Sequence, residues 1–310
     1  YKNSMDAAES QLESAQSSLD STQETYDDYT ITAPISGTVV TKNVKVGDHV
    51  IVDLIHTCGT CWQCRTGRKN VCEHVSVRGS GADGGWREYF TAPASEVYKI
   101  DDSVDWKDAA LVEPYAIGAH CTKRGRVAED DVVFILGTGT IGSIILQTCK
   151  AKGCKTVICC DIDDLSLERA KGYGADYVIN SKTEDVVRRI AEITDGHGVT
   201  VAFDSACFPG SLTMCMQPGI LCNAGRMVPM GFSTAKEELT QAMINQRELD
   251  IIGSRMSCYQ FEPTIERMEK KEFDTEGIAT MFVKFSEIDK VFEYMDHPTP
   301  ESKKMVILFD

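Results

Sequence analysis

The chain has 310 residues, with 47 acidic against 32 basic side chains and a formal net charge of −15. That balance argues against nucleic acid or an anionic membrane as a partner, and no stretch approaches the ~18 apolar residues of a membrane span. The length allows a large core and two domains. Thirteen cysteines, an odd number with no signal-peptide pattern ahead of them, suit reduced thiols and a metal site in a cytoplasmic setting better than a disulfide framework.

Residues 1–28 carry Met5, Leu12, Leu19 and Tyr26 at intervals of seven, with Ala8, Ala15 and Thr22 three further on. This spacing predicts a coiled-coil helix; a single amphipathic helix on a core is the alternative. From Tyr29 the chain reads YTITAPISGTVV and then VKVGD. A coiled-coil strand running into that stretch resembles the membrane-fusion (periplasmic adaptor) proteins of efflux and secretion systems. The resemblance implies half of a lipoyl-like domain and a junction over 29–53, with no catalytic group.

Cys58, Cys61, Cys64 and Cys72 follow at spacings of three, three and eight. Three thiolates at that interval wrap one side of an ion and the longer loop brings the fourth round. A closed tetrahedral four-thiolate set is a structural zinc site, with an iron–sulfur cluster as the alternative. Arg65, Arg68 and Lys69 nearby are expected to lower the thiol pKa values. The stretch from Val46 through these cysteines, VGDHVIVDLIHTCGTCWQCRTGRKNVCE, resembles the zinc-dependent medium-chain alcohol and polyol dehydrogenases of the sorbitol, threonine and L-galactonate dehydrogenase-like group. The two resemblances meet in a shared VGD segment, so a chimera joined between residues 44 and 53 is expected.

Asp83 to Tyr89, DGGWREY, resembles a turn and strand of that family. Glu113 sits in an apolar run before Pro114. A carboxylate is costly to bury unpaired, so it reads as an ion-paired acid or a metal ligand. The resemblance makes this glutamate a catalytic residue and a ligand or near-ligand of the reactive zinc. The family's other catalytic ligands, a cysteine in a CGTD-like loop and the histidine of a GHE motif, belong upstream. No such cysteine precedes Cys58, and no histidine is followed by glutamate. His49 and His56 fit no ligand pattern and are read as ordinary strand and loop residues.

Val132 to Leu136 is an apolar β-branched run, the signature of a buried parallel strand. It breaks into Gly137, Thr138, Gly139, Thr140, Ile141 and Gly142, after which apolar residues recur at helical spacing. A second strand, Thr156 to Cys160, ends on Asp161, 24 residues after the first glycine. Gly137 allows the tight turn, Gly139 admits a pyrophosphate, and Gly142 permits close helix packing, with the helix N-terminus facing the phosphates. Asp161 suits a ribose diol and repels a 2′-phosphate, favouring NAD over NADP. Helices over 165–173 and 186–193 and strands over 177–180 and 199–204 complete the alternation. His197, in a glycine-flanked turn, is expected in solvent. Met230, Gly231 and Ser254 resemble positions whose backbone lines the nicotinamide. The seven remaining cysteines (121, 149, 154, 207, 215, 222 and 258) read as small core residues.

The expected fold is α/β. A doubly wound parallel-sheet (Rossmann) domain spans 118–256, and a truncated, GroES-like, β-rich catalytic domain with a zinc lobe is formed by 54–117 and 257–310. The resemblance implies oxidation of the secondary alcohol of a polyol or sugar acid by NAD in a homo-oligomer, with activity impaired by the missing zinc ligands. Loss of half the substrate domain is expected to bare apolar surface and lower solubility. A non-catalytic NAD-binding protein and an efflux or secretion adaptor fragment are the alternatives.

Overall fold

A computed structural model describes residues 16, 44–89, 91–297, 299 and 304–309. The chain divides into two units, Tyr1–Lys42 and Asn43–Asp310, and the elements below belong to the second. The coiled coil of 1–28 and the lipoyl-like half-domain up to residue 43 lie outside the described residues, Gln16 apart.

Strands β1 (Val50–Val52) and β2 (Ile55–His56) lead into the cysteine lobe, which holds a one-turn helix, α1 (Trp62–Arg65). β3 (Ser76–Val77) returns antiparallel to β2, and β4 (Val97–Lys99) pairs antiparallel with β1. The DGGWREY segment forms no strand. It finds no pairing partner among the described residues, and Trp86 and Tyr89 are exposed. Helix α2 (Trp106–Ala109) starts on Asp105, whose carboxylate accepts from the Lys107 N–H at 2.8 Å. The longer α3 (Val112–Arg124) tolerates Pro114 because the first turn has no intrahelical N–H bond to lose. It ends on Lys123 and Arg124, which complement the negative end of its dipole.

The sheet follows as strand and helix in alternation. β5 (Val132–Leu136), α4 (Thr140–Ala151), β6 (Thr156–Asp161), α5 (Asp164–Gly172) and β7 (Tyr177–Asn180) form one half. After α6 (Val186–Ile193) come β8 (Val199–Asp204), α7 (Ser211–Met216), β9 (Leu221–Pro229), α8 (Gln241–Asn245) and β10 (Asp250–Ile251). All six strands are parallel, in the order β10-β9-β8-β5-β6-β7. The order reverses between β5 and β8, which opens a crevice at the carboxyl ends of those two strands.

Strand alternation sends Val133, Ile135, Val157, Cys159, Val201 and Phe203 into one apolar layer and Phe134, Leu136, Ile158, Cys160 and Ala202 into the other. Both faces are covered, so the strands read as unbroken apolar runs. The vicinal Cys159 and Cys160 thus point to opposite sides and are fully buried.

The chain then returns through α9 (Phe261–Glu269), β11 (Met281–Lys284), α10 (Asp289–Asp296) and β12 (Met305–Leu308), with β12 parallel to β11. A third core gathers Ile100, Leu111, Val112 and Tyr115 with Phe261, Ile265, Phe273 and Val306. No helix among the described residues is long and apolar enough to cross a membrane.

Candidate functional site

The ligand atoms of Cys58, Cys61, Cys64 and Cys72 all lie within 4.8 Å of one another. The Cys72 sulfur is 3.5 Å from that of Cys58 and 3.8 Å from that of Cys61. A tetrahedral ion with Zn–S bonds of about 2.3 Å requires sulfurs about 3.8 Å apart, so the thiols already stand at zinc spacing. Backbone N–H groups point at the sulfurs: Cys61 donates to Cys58 at 3.4 Å, Cys58 to Cys72 at 3.4 Å and His74 to Cys72 at 3.3 Å. These bonds offset the surplus negative charge that four thiolates leave around a divalent cation. They also correct an expectation. The Cys58 thiol is lowered to about 5 chiefly by the backbone N–H groups of Cys61 and Thr60 and by the Thr60 hydroxyl, rather than by Arg65, Arg68 or Lys69. Burial, with Cys61 and Cys72 beside it, pushes Cys64 up to about 12. Zinc binding must therefore displace a proton from Cys64, and affinity should fall with falling pH.

Buried charge ties the lobe to its base, a feature that spacing did not reveal. Asp53, 2 % exposed, pairs with Lys69 Nζ at 3.0 Å. Buried Glu96 accepts from Arg78 at 2.5 Å and meets His56 Nδ1 at 2.6 Å. His56 is thus a hydrogen-bonding partner of a buried carboxylate rather than an idle loop residue. His49 sits against the Trp106 ring, with centroids 4.2 Å apart, and His197 is exposed as expected.

The glycine turn lies at the reversal point of the sheet. Gly137 has φ +87° and sits so close to the loop after β8 that an added Cβ would come 2.8 Å from the Ala206 nitrogen. A Cβ at Gly142 would fall 1.9 Å from the Gly137 carbonyl oxygen, whereas one at Gly139 would meet nothing within 4 Å. The first and third glycines are therefore required by the protein itself, and the second faces open space beside the first turn of α4. Thr138, Thr140, Ser143, Arg169 and Ile278 line that space. Asp161 is fixed from both sides: Thr138 donates its N–H at 2.7 Å and its hydroxyl at 3.0 Å, and the N–H groups of Ile162 and Asp163 approach at 2.7 and 3.1 Å. Gly139 keeps a cradle that a methyl group would fill, and this open position fits a dinucleotide pyrophosphate.

Gly231 lies against Cys207, whose sulfur would be 2.0 Å from a Cβ there. The Met230 N–H donates to the Asp204 carbonyl at 3.0 Å. Gly137, Ala206, Cys207 and Gly231 therefore form one continuous wall at the carboxyl ends of β5, β8 and β9. Cys207, with φ +57° and only half-buried, is a wall residue rather than a core one, and Cys222 is also half-buried. Ser254 lines a separate, roomier cleft of about 570 Å³ with Arg68, Asn70, His120, Lys123 and Arg255.

Glu113 occupies the first turn of α3, half-buried, with no hydrogen bond among the described residues. Burial raises its pKa; Lys304 opposes the shift and Asp53 reinforces it. A carboxyl group whose folded-state pKa exceeds its unfolded value holds its proton longer in the folded chain. Stability then declines as pH climbs from the ordinary glutamate range to the raised value, and it stays reduced above that. Glu113→Gln should accordingly melt higher than the parent at pH 8, by roughly 2–4 °C for each kcal/mol recovered. The difference should vanish near pH 4. Melting curves across that range check the sign.

The alcohol dehydrogenase GroES-like domain model matches residues 16–102, and the zinc-binding dehydrogenase model matches 140–270. The starvation-sensing protein RspB of Escherichia coli is 33% identical over 271 residues, covering 86% of this chain and 78% of its own. The chain belongs to the zinc-binding dehydrogenase family. A sorbitol dehydrogenase of Bacillus subtilis is 32% identical over 76% of this chain and 67% of its own. The crystal structure of an E. coli short chain alcohol dehydrogenase (rspB) complexed with NADH superposes with a TM-score of 0.78 at 33% identity, covering 85% of this chain and 77% of that one. The GroES-like match begins at residue 16, inside the stretch whose heptads suggest a coiled coil.

For a zinc-binding dehydrogenase, the cysteine lobe fits its metal. A second, catalytic zinc finds no such fit among the described residues, where the four cysteines form the one group of metal-ligating side chains. Arg169 and Ser143 at the cradle, and Cys207 at the wall, carried no signal in the sequence. Their role comes from loops and helix faces brought together only by the fold.

Proposed function

We propose that the chain is an NAD-dependent oxidoreductase of the alcohol and polyol class. Its substrate would carry a secondary alcohol of a polyol or sugar acid; sorbitol, in the name of the Bacillus subtilis relative, is a polyol. The observation that carries this reading is the glycine turn, where Gly139 faces an open cradle while Thr138 holds the Asp161 carboxylate at 2.7 Å. Alcohol oxidation transfers a hydride to the nicotinamide of NAD and releases a proton. Gly137 to Gly142 and the start of α4 hold the pyrophosphate, and Asp161 takes the ribose hydroxyls. Met230 and Gly231 face the nicotinamide, whereas Ser254, expected beside them, lines the separate cleft. Glu113, raised in pKa by burial, is the catalytic carboxylate, placed to accept a proton or face a metal cation.

We assign 54–117 and 257–310 to the catalytic domain, 118–256 to the NAD domain, and the first 48 residues to an adaptor-like segment joined to them. That segment contains neither cysteine nor histidine. A catalytic zinc needs about three protein ligands, so we infer that turnover by these 310 residues is impaired. The same observation favours a second reading, a non-catalytic NAD-binding protein; hydride transfer to NAD from a polyol would remove it. Amplifying the source DNA across codons 30–70 tests the join. Thirteen cysteines, an odd number with four at zinc spacing, support a reducing cytoplasmic setting, and the exposed edge strand β10 supports a homo-oligomer.

Fluorescence titration with NADH and NADPH tests the cofactor assignment without needing activity. The parent should prefer NADH, because a carboxylate facing a 2′-phosphate costs several kcal/mol. Asp161→Ser should weaken NADH and shrink the preference about tenfold or more, roughly 1.4 kcal/mol. An unchanged ratio of the two affinities would sink the assignment.

A further inference from the structure

The roomier cleft is built from three stretches: Gly67 to Val71 of the lobe, His120 to Arg126 at the end of α3, and Gly253 to Tyr259 beyond β10. Its volume of about 570 Å³ is that of a small-molecule site. Its charge is one-sided. Arg68, Lys123, Arg124, Arg126 and Arg255 line it with no carboxylate among the lining residues, in a chain whose net charge is −15. Arg126 pairs with Asp250, and Arg124 donates to the Gly253 carbonyl at 3.2 Å. Arg68, Lys123 and Arg255 have no carboxylate partner among the described residues. Three unpaired cations around one cavity repel one another, an arrangement that an anion relieves.

At the cleft wall, His120 is 6 % exposed and its Nδ1 is buried without a hydrogen-bond partner. The tautomer follows from its neighbour. Asn70 Nδ2 donates to the Arg255 carbonyl at 2.8 Å, so that atom is the amide nitrogen, and it lies 3.3 Å from His120 Nε2. Nε2 therefore accepts, and the proton of the neutral ring sits on Nδ1. Burial first, then the fields of Arg124, Lys123 and Arg68, lower the ring's pKa to about 4 and keep it neutral. The Ser254 hydroxyl is also buried and unpartnered. An unsatisfied buried donor costs about 1–3 kcal/mol, and two such donors in one cationic cavity want an acceptor.

We propose that this cleft binds a phosphorylated small molecule, whose phosphate oxygens accept from His120 Nδ1 and Ser254 Oγ and pair with Arg68, Lys123 and Arg255. Such a ligand touches the zinc lobe, α3 and the segment after β10 together, so its binding should also tighten the lobe onto the sheet domain. The cleft shares no lining residue with the Gly139 cradle, and Glu113 precedes His120 by roughly 10 Å of helix.

The test is calorimetric titration of the zinc-loaded full chain with ribose 5-phosphate and, in parallel, with ribose, each with NAD at saturation. The phosphorylated sugar should bind and ribose should not, and binding should weaken as salt is raised. Arg68→Ala combined with Lys123→Ala should lower the affinity at least tenfold while leaving NADH affinity unchanged. Both side chains are exposed, so the fold should survive their loss. His120→Phe provides a second variant that removes the Nδ1 donor and keeps the apolar bulk. Equal binding of ribose, parent-like affinity in both variants, or complete displacement by NAD would each overturn the proposal. The last outcome would put the phosphate in the glycine turn.

Discussion

Replacing Cys72 with serine should release the zinc and unfold the lobe while the parallel sheet stays folded. Cys72 is the most enclosed of the four ligands, 4 % exposed, and receives N–H bonds from Cys58 and His74. Structural zinc contributes ~10–16 kcal/mol in small zinc-binding peptides at neutral pH. Even with free zinc only a thousandfold above its dissociation constant, loss of the metal removes about 4 kcal/mol. The damage should travel along named contacts. Asn70 donates to the Arg255 carbonyl, Cys258 Sγ approaches the Gly67 carbonyl at 3.3 Å, and Lys69 neutralises Asp53. Hydrogen exchange should therefore accelerate over 54–78 and 253–259 and remain slow in β5, β6 and β8. A chelator should do the same to the parent, and more readily at low pH, where protons compete with zinc for the four sulfurs. A Cys72→Ser protein that retains one zinc per chain and parent-like exchange in the lobe would refute the four-thiolate site.

Much of this arrangement could be read directly from the residues. The strands over 132–136, 177–180 and 199–204 and the helix over 186–193 were legible because their apolar periods are clean and glycine or aspartate ends them. Asp163 and Asp185, for example, accept from the Ser166 and Arg188 N–H groups at the starts of α5 and α6. The four cysteines were legible because metal spacing is local.

What stayed hidden was long-range. Asp53 and Lys69 look like ordinary surface charges until the fold buries one against the other. His120 reads as a helix residue until Asn70, fifty positions earlier, arrives beside it. The expected lowering of the lobe thiols by Arg and Lys failed for a related reason. Arg65 and Arg68 are exposed and Lys69 turns to Asp53, while backbone N–H groups are held against the sulfurs. DGGWREY has a turn signature, but a strand also needs a neighbour to pair with, and local sequence does not supply one.

The sharpest separation of fold from function lies three residues apart on the glycine turn, at Gly139 and Gly142. Gly139→Ala should leave the melting temperature close to the parent's, because its φ of −65° suits alanine and the new methyl meets nothing within 4 Å. The methyl would instead occupy the space beside the α4 N-terminus where a pyrophosphate approaches, so NADH affinity should fall by about tenfold or more, some 1.4 kcal/mol. Gly142→Ala should do the opposite first. Its Cβ would sit 1.9 Å from the Gly137 oxygen with the Ile135 side chain 3.4 Å away, and neither the turn nor the strand can retreat without opening the sheet. Overpacking of this kind costs about 1–3 kcal/mol and sometimes more, so this variant should melt well below the parent whether or not cofactor is present. If Gly139→Ala binds NADH as the parent does, the cradle is not the pyrophosphate site and the dinucleotide reading fails with it. If Gly142→Ala alone loses NADH while keeping its stability, the third glycine faces ligand rather than protein, and the packing argument is wrong.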